Sequence, residues 1–451
     1  MCLSLPAQIS PSIPLRKGAF LVSRLVAAPA SEPTTLPLAW IRPQFPALDQ
    51  TINGNPVAFL DGPGGTQVPQ RVIDAVGHYL AHDNANAHGA FANSQRTDHV
   101  IAAAHGAMAD FLGCDSKEII FGPNMTSLTF AMSRAIGRQL RPGDEILVTC
   151  LDHDANVAPW LALGERGMIV HTIDMHPQDC TLDLDDLTSK LSRRTRLLAI
   201  TYASNAVGTL NDLPAIIRLA HDAGAWVYVD AVHYAPHGPI DVHQLDCDFL
   251  VCSPYKFFGP HIGVLYGKQE HLEQIFPYKV RPASEAIPDR WETGTQNHEG
   301  LAGVTAAVDY LADLGQIVSP QVSHRRKAIL AAMTAIHHHG GQLCQSLIKG
   351  LLQLPEITIY GITASEQMGW RLPTVAIRMA KCPPAVIANT LGQQGIFTWH
   401  GNFYALNLTR RLGVEDRGGL LRIGLMHYNT LAEVNRLLTA LTTMVTTMVT
   451  S

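Results

Sequence analysis

The strongest constraint on the fold lies between residues 118 and 266, where short β-branched runs alternate with amphipathic stretches. The runs occupy residues 119–121, 145–149, 168–173, 196–201, 226–229, 248–252 and 262–266. Helical patterns such as 182–191 and 212–222 separate them. Strands spaced by helices predict βαβ units, hence an α/β fold whose seven-stranded, mostly parallel sheet is covered on both faces. Such sheets bind ligands outside the carboxyl ends of their strands, so the polar residues that follow each run are the first candidates for function.

After residue 320 the order changes to helix, strand, strand, helix, with strands at 357–362 and 374–378 and a terminal amphipathic helix at 430–448. This predicts a large domain over residues 41–319, to which a smaller α+β domain over 320–451 is appended; the start of the chain is a second candidate contributor to the smaller domain. Residues 1–40 differ in kind. They carry Arg16, Lys17 and Arg24, have no acid before Glu32, and contain a single apolar run, 19–26, that Arg24 interrupts. They are expected to be a disordered extension or an organelle-targeting segment.

A chain of 451 residues with 47% hydrophobic and 16% charged side chains can bury such a core. Its net charge of −5 gives no basic footprint for nucleic acid or an anionic membrane. The strongest basic run, residues 324–327, reads as an exposed helix face, and no run of 18 apolar residues predicts a membrane span. Eight cysteines, none in a CxxC pair, read as buried free thiols of a reducing compartment, which predicts a cytoplasmic protein. His337, His338 and His339 read as a solvated helix end, since adjacent helical positions point apart.

Three strand ends carry the chemistry. The run 226–229 leads into Asp230, and the run 248–252 leads through Ser253, Pro254 and Tyr255 into Lys256, which Phe257, Phe258, Gly259 and Pro260 follow. Alone, Asp230 reads more readily as a turn or capping residue, and Lys256 as readily as a lysine snorkelling from an apolar patch. Together, 26 residues apart on neighbouring strands, they match what pyridoxal 5′-phosphate (PLP) requires: an amine for its aldehyde and an acid for its ring nitrogen. The third end, Phe121 to Ser127, joins a strand, a glycine turn and a hydroxyl-bearing helix start, which can cup an anion with backbone N–H groups.

These segments, read with FLDGPGGTQVP, NMTS, LDHDANVAPW, TYASNAVGT, VYVDAVHYAPHGPIDV, DFLVCSPYKFFGPHIGVLYG, ETGTQN and LRIGLMHYNT, resemble the class V aminotransferase family over residues 59–448, especially its cysteine desulfurase/selenocysteine lyase-like branch. The resemblance implies the PLP-dependent transferase fold of type I and a homodimer with a shared active site. Lys256 would be the Schiff-base lysine and the group that moves protons at the substrate's Cα. Asp230 would pair with the ring nitrogen, and His153 would stack on the ring. His233 would stand where the family has a glutamine on the ring hydroxyl, and Asn205 would lie near the phenolic oxygen and the substrate carboxylate. Met125, Thr126, Ser253 and Tyr255 would hold the phosphate, with Thr295 reaching the neighbouring subunit's phosphate. Arg422 would clamp the substrate's α-carboxylate. His88 is a further candidate for the pocket wall.

The sequence departs from this pattern where the branch carries its sulfur-accepting cysteine after a Gly-Ile segment. Here Gly395-Ile396 leads to Tyr404 at that place, and Cys382 lies 22 residues earlier. The expected activity therefore shifts towards a C–S β-lyase or related Cα–H chemistry on an amino acid, with Tyr404 as proton donor. A cysteine desulfurase, an aminotransferase using Arg371 or Arg378, and a PLP-carrying binding protein are the alternatives.

Overall fold

A computed structural model of the protein describes residues 36–450. Seven strands form the central sheet: β1 (Ile119–Gly122), β2 (Glu145–Thr149), β3 (Ile169–Ile173), β4 (Thr195–Thr201), β5 (Trp226–Asp230), β6 (Phe249–Cys252) and β7 (Gly263–Gly267). They follow the order β1-β7-β6-β5-β4-β2-β3. β5 runs parallel to β4 and β6, and β2 runs parallel to β3 and β4. β7 alone is antiparallel to both its neighbours, β6 and β1. Every residue of β2, β5 from Val227 onward, β6 and β7 is buried, which explains why these strands read as continuous apolar runs rather than alternating ones.

Helices cover both faces. α1 (Ala92–Leu112), α2 (Met125–Gly137), α3 (Leu213–Asp222), α4 (His298–Val318) and α5 (Arg325–Leu351) are the principal ones. By composition α4 is long and apolar enough to cross a membrane, yet it packs against α1 and α5 and buries most of that surface, as a core helix does. A second sheet, wholly antiparallel, comprises β8 (Ile357–Tyr360), β9 (Thr374–Met379), β10 (Trp399–Gly401) and β11 (Leu420–Gly424) in the order β8-β9-β11-β10. α5 serves both cores: Ala328 to Ile336 pack beside the central sheet, and Leu343 to Leu351 pack with β8, β9 and the terminal helix α6 (Leu431–Thr450). The early segment Ala58–Phe59 pairs in parallel with Ile396–Phe397, which ties the beginning of the described chain to the second sheet's surroundings.

Three expectations need correction. Residues 36–40 belong to the packed body, since Leu36 is buried and Leu38–Ile41 is helical; the rest of the expected extension, 1–35, lies outside the described residues. The basic run 324–327 is not a free helix face. Arg325 pairs with Asp110 and Asp309, and Arg326 binds the carbonyls of Asp110, Phe111 and Ile240 and the carboxylate of Asp241, so this helix start closes over the end of α1. The histidine triplet lies in the middle of α5, not at its end. Nδ1 of His337 meets the carbonyl of His237, Nε2 of His339 meets that of Asn429, and only His338 is exposed.

Candidate active site

The topology gathers the site. The carboxyl ends of β2, β4, β5 and β6 share one edge of the sheet, and the turn after β1 joins them because β7, which separates β1 from β6, runs the other way. A cavity of about 350 Å³ opens there, walled by residues that follow these strands and, opposite, by Pro63, Gly64, residues 399–404 and Arg422. β7 begins with Gly263, where a Cβ would stand 2.3 Å from the carbonyl carbon of Asn124. Glycine is therefore required for the turn after β1 to reach its place. Asn124 caps α2, accepting from the N–H of Ser127 at 2.8 Å, and Met125 and Thr126, the first residues of the helix, line the cavity, as the residues of an anion site at a helix start would.

Lys256 ends a short turn that Ser253 and Pro254 impose after β6. Its Nζ donates to the carbonyl of Pro63 and lies 4.6 Å from the Tyr255 ring centroid. Removal from water, reinforced by the Arg422 charge, brings its pKa down to about 7 against the pull of Asp230 and Asp61, so a neutral, nucleophilic amine is available near neutral pH. Asp230, the last residue of β5, is buried, and its Oδ1 accepts from the N–H of Val232 at 2.9 Å. Burial pushes its pKa up to about 6, opposed by that N–H and by Lys256. A carboxylate so placed favours a cation beside it.

His153 accepts from the N–H of Ala155 at 3.0 Å through Nδ1, which assigns the ring proton to Nε2. Burial first, then Lys256 and Arg422, lower its pKa to about 4, so the ring is neutral. His233 is buried and held far below its ordinary pKa, with Nε2 3.0 Å from the hydroxyl of Thr374. Asn205 donates through Nδ2 to the carbonyl of Phe403 at 2.9 Å, while its buried Oδ1 has no partner. Arg422, in the middle of β11, donates through Nη1 to the carbonyl of Asn205 at 2.9 Å, and its guanidinium lies 4.3 Å from the Phe403 ring centroid. Its Nε is buried without a partner, so the fork retains unmet donor capacity.

The cavity thus brings together Lys256, Asp230, His153, His233, Asn205, Met125, Thr126, Ser253, Tyr255, Arg422 and Tyr404. Thr295 does not line it and is exposed. His88 is also absent, being exposed and paired with Asp98. Arg371 and Arg378 do not line it: both Nη atoms of Arg371 and Nη1 of Arg378 donate to backbone carbonyls, and Nε of Arg371 is buried without a partner, so neither is placed to bind a substrate carboxylate there. Among the described residues no cysteine lines the cavity; Cys382 is buried in its turn, and burial raises its pKa.

Sequence reasoning missed two acids. Asp61 keeps a buried Oδ1 without a partner in the electrostatic reach of Arg422 and Lys256, and burial raises its pKa. Asp152 is buried next to His153, where Thr149 and Asn156 donate to it. Both lie in segments that carried the resemblance, but a carboxylate in a turn looks alike whether it caps a backbone or faces a site.

The pattern of the family described as "Aminotransferase class-V" matches residues 58–437. The chain belongs to the class-V aminotransferase family. It is 33% identical over 419 residues to a probable cysteine desulfurase of Synechocystis sp., covering 89% of this chain and 94% of the relative. A cysteine desulfurase of Pectobacterium atrosepticum is 32% identical, covering 90% and 97%. Among solved structures, an apo cysteine desulfurase from Thermococcus onnurineus superposes with a TM-score of 0.78 at 26% identity, covering 89% of this chain and 98% of that one. A cysteine desulfurase from Escherichia coli gives 0.77 at 30% identity, covering 90% and 97%.

As a member of the class-V aminotransferase family the protein is a PLP-dependent enzyme, with the fold the sequence predicts. The residues present fit that cofactor. A lysine with a lowered pKa, a buried acid at the cavity floor, a neutral imidazole and a helix start freed by Gly263 are what an aldehyde, a ring nitrogen, an aromatic face and a phosphate respectively need.

Proposed function

We propose that this protein is a C–S β-lyase acting on an S-substituted cysteine or a close analogue. The observation that carries the reading is the composition of the cavity: amine, acid and carboxylate clamp are assembled, and the wall facing them presents Tyr404 with, among the described residues, no thiol beside it. A desulfurase needs a thiolate within reach of the substrate's sulfur. The buried cysteines are poorly suited to that role, with Cys150 and Cys180 raised to about 12.

In this reading Lys256, Asp230, His153, His233, Met125, Thr126, Ser253 and Tyr255 hold the cofactor. PLP, when bound, supplies an electron sink for the bond broken at Cα. Arg422 binds the α-carboxylate with its fork, and Asn205 Oδ1 accepts a hydrogen bond from the substrate side. Lys256 Nζ takes the proton from Cα. The Cβ–S bond then breaks with its electron pair going to sulfur, and Tyr404 Oη supplies a proton to the leaving group. The three-carbon remainder takes up water and yields pyruvate and ammonia.

The same reading makes the protein a homodimer. Thr295 lies off its own cavity, and Phe276, Tyr278 and Val280 ahead of it are 60–64% exposed, a concentration of apolar surface that supports burial against a second copy.

The test is a product assay on the purified holoenzyme. S-substituted cysteines should give pyruvate and ammonia in equal amounts, and cysteine should give no alanine above background. Tyr404→Phe should slow elimination by at least tenfold, since general acids contribute ~10²–10⁴-fold. Alanine formed together with protein-bound persulfide would overturn the reading in favour of desulfuration.

A further inference from the structure

The outer wall of the cavity comes from one segment, β10 and the turn after it (residues 399–404), whose side chains the cofactor-facing machinery does not use apart from the Tyr404 hydroxyl. Phe403 and Tyr404 have φ of +57° and +58°, consecutive left-handed conformations that aromatic residues avoid. They are held there from three sides. Asn205 donates to the carbonyl of Phe403, the N–H of Asp154 donates to that of Tyr404 at 2.8 Å, and Asn402 both accepts from the N–H of Tyr404 and donates to Glu415. The result is a fixed display of rings. Phe403 lies under the Arg422 guanidinium, and Tyr404 stacks on His153 with centroids 5.2 Å apart and planes 24° from parallel.

Trp399 completes the display. It is the direct cross-strand partner of Arg422, so both side chains leave the second sheet on the same face. A Cβ built on Gly64 would stand 3.5 Å from the Trp399 ring and 3.7 Å from Nη2 of Arg422, so ring and clamp flank one small volume that Gly64 leaves open. Trp399 is 52% and Tyr404 71% exposed, large ring surface at the cavity mouth. The segment 399–404 carries no lysine, arginine, aspartate or glutamate, and Arg371 and Arg378 are committed elsewhere.

We propose that Trp399 and Tyr404 form an aromatic subsite for the substrate's side chain, and that the substrate class is an α-amino acid ending in an uncharged aromatic group. The proposal rests on the lyase reading only for the sulfur link between that group and Cβ. With the α-carboxylate on Arg422, the side chain is carried past Gly64 onto the Trp399 face, and its ring stacks there as aromatic pairs do. Apart from the imidazole of His400, this wall offers a charged side-chain end no counter-ion.

The experiment uses the PLP-loaded protein and follows its near-visible absorbance while titrating S-phenylcysteine, S-methylcysteine and S-carboxymethylcysteine. The aryl compound should bind about tenfold more tightly than the methyl compound, and the carboxymethyl compound least tightly. Trp399→Ala should remove that preference, weakening S-phenylcysteine about tenfold more than S-methylcysteine, whereas Trp399→Phe should retain most of it. Equal affinities in the wild type, or a preference that survives Trp399→Ala, would overturn the subsite. Preferential aryl binding without pyruvate would defeat the lyase reading and leave the subsite standing; no absorbance change with any of the three would defeat both.

Discussion

At Asp230 the backbone supplies one donor, from Val232, and burial lifts the carboxyl to about 6 from an ordinary 3.8. Between those values the folded apoprotein binds a proton that the unfolded chain has released, so this group's contribution to stability falls as pH rises through that window, by about 3 kcal/mol at ~1.4 kcal/mol per unit. Lys256, lowered to about 7, works in the opposite direction: its cost is present in full below 7 and disappears as pH rises towards 10.5. A cationic ring nitrogen beside Asp230 offsets the first cost. Asp230→Asn should therefore melt a few degrees above the wild-type apoprotein at pH 8 and equally with it at pH 4, while losing at least a hundredfold in turnover, because an amide cannot keep the ring nitrogen protonated. Equal melting at pH 8 with normal turnover would place the acid elsewhere. Asp230 and Lys256 were legible in the sequence because each charge ends an apolar run that has no reason to tolerate it. Tyr404 was named as well, but the left-handed conformation it shares with Phe403 was not legible, since it is stabilised by hydrogen bonds from Asn205 and Asp154, some 200 and 250 residues away in the chain.

Elements of the central sheet were read almost to the residue because burial on both faces leaves a plain apolar signature. β2 occupies the predicted 145–149, and β5 extends one residue beyond prediction, to Asp230 itself. Helix ends were harder. Gly340 and Gly341 after the histidines look like a terminus, yet α5 continues to Leu351 because the second core packs on its later turns, and Gly340 lies where a side chain would press on Pro373. The antiparallel setting of β7 also left no trace in its own sequence, although it brings Gly263 against Asn124. Gly263→Ala should destabilise the protein by about 1–3 kcal/mol in urea unfolding, as overpacking does, and weaken PLP binding by displacing the start of α2. Loss of stability with unchanged PLP affinity would separate the turn from phosphate binding.

The whole molecule places its clamp and its amine on different sheets: Arg422 on the second, Lys256 on the first, with α5 common to both cores. A relative movement of the sheets would change the distance between carboxylate and reacting carbon, so the geometry of the site depends on the packing of the entire chain. In the proposed dimer Thr295 adds a second subunit to that dependence. Sedimentation at micromolar concentration should give a dimer, and Thr295→Ala should weaken both PLP retention and association. A monomer that keeps full PLP occupancy would contradict the shared site.

The chemistry of the site depends most directly on the covalent attachment of PLP at Lys256. Borohydride reduction of the holoenzyme, followed by peptide mapping, should place a single pyridoxyl group on Lys256, and Lys256→Ala should lose both the label and the near-visible absorbance. A label on Lys268 or Lys279, or one that persists in Lys256→Ala, would contradict it.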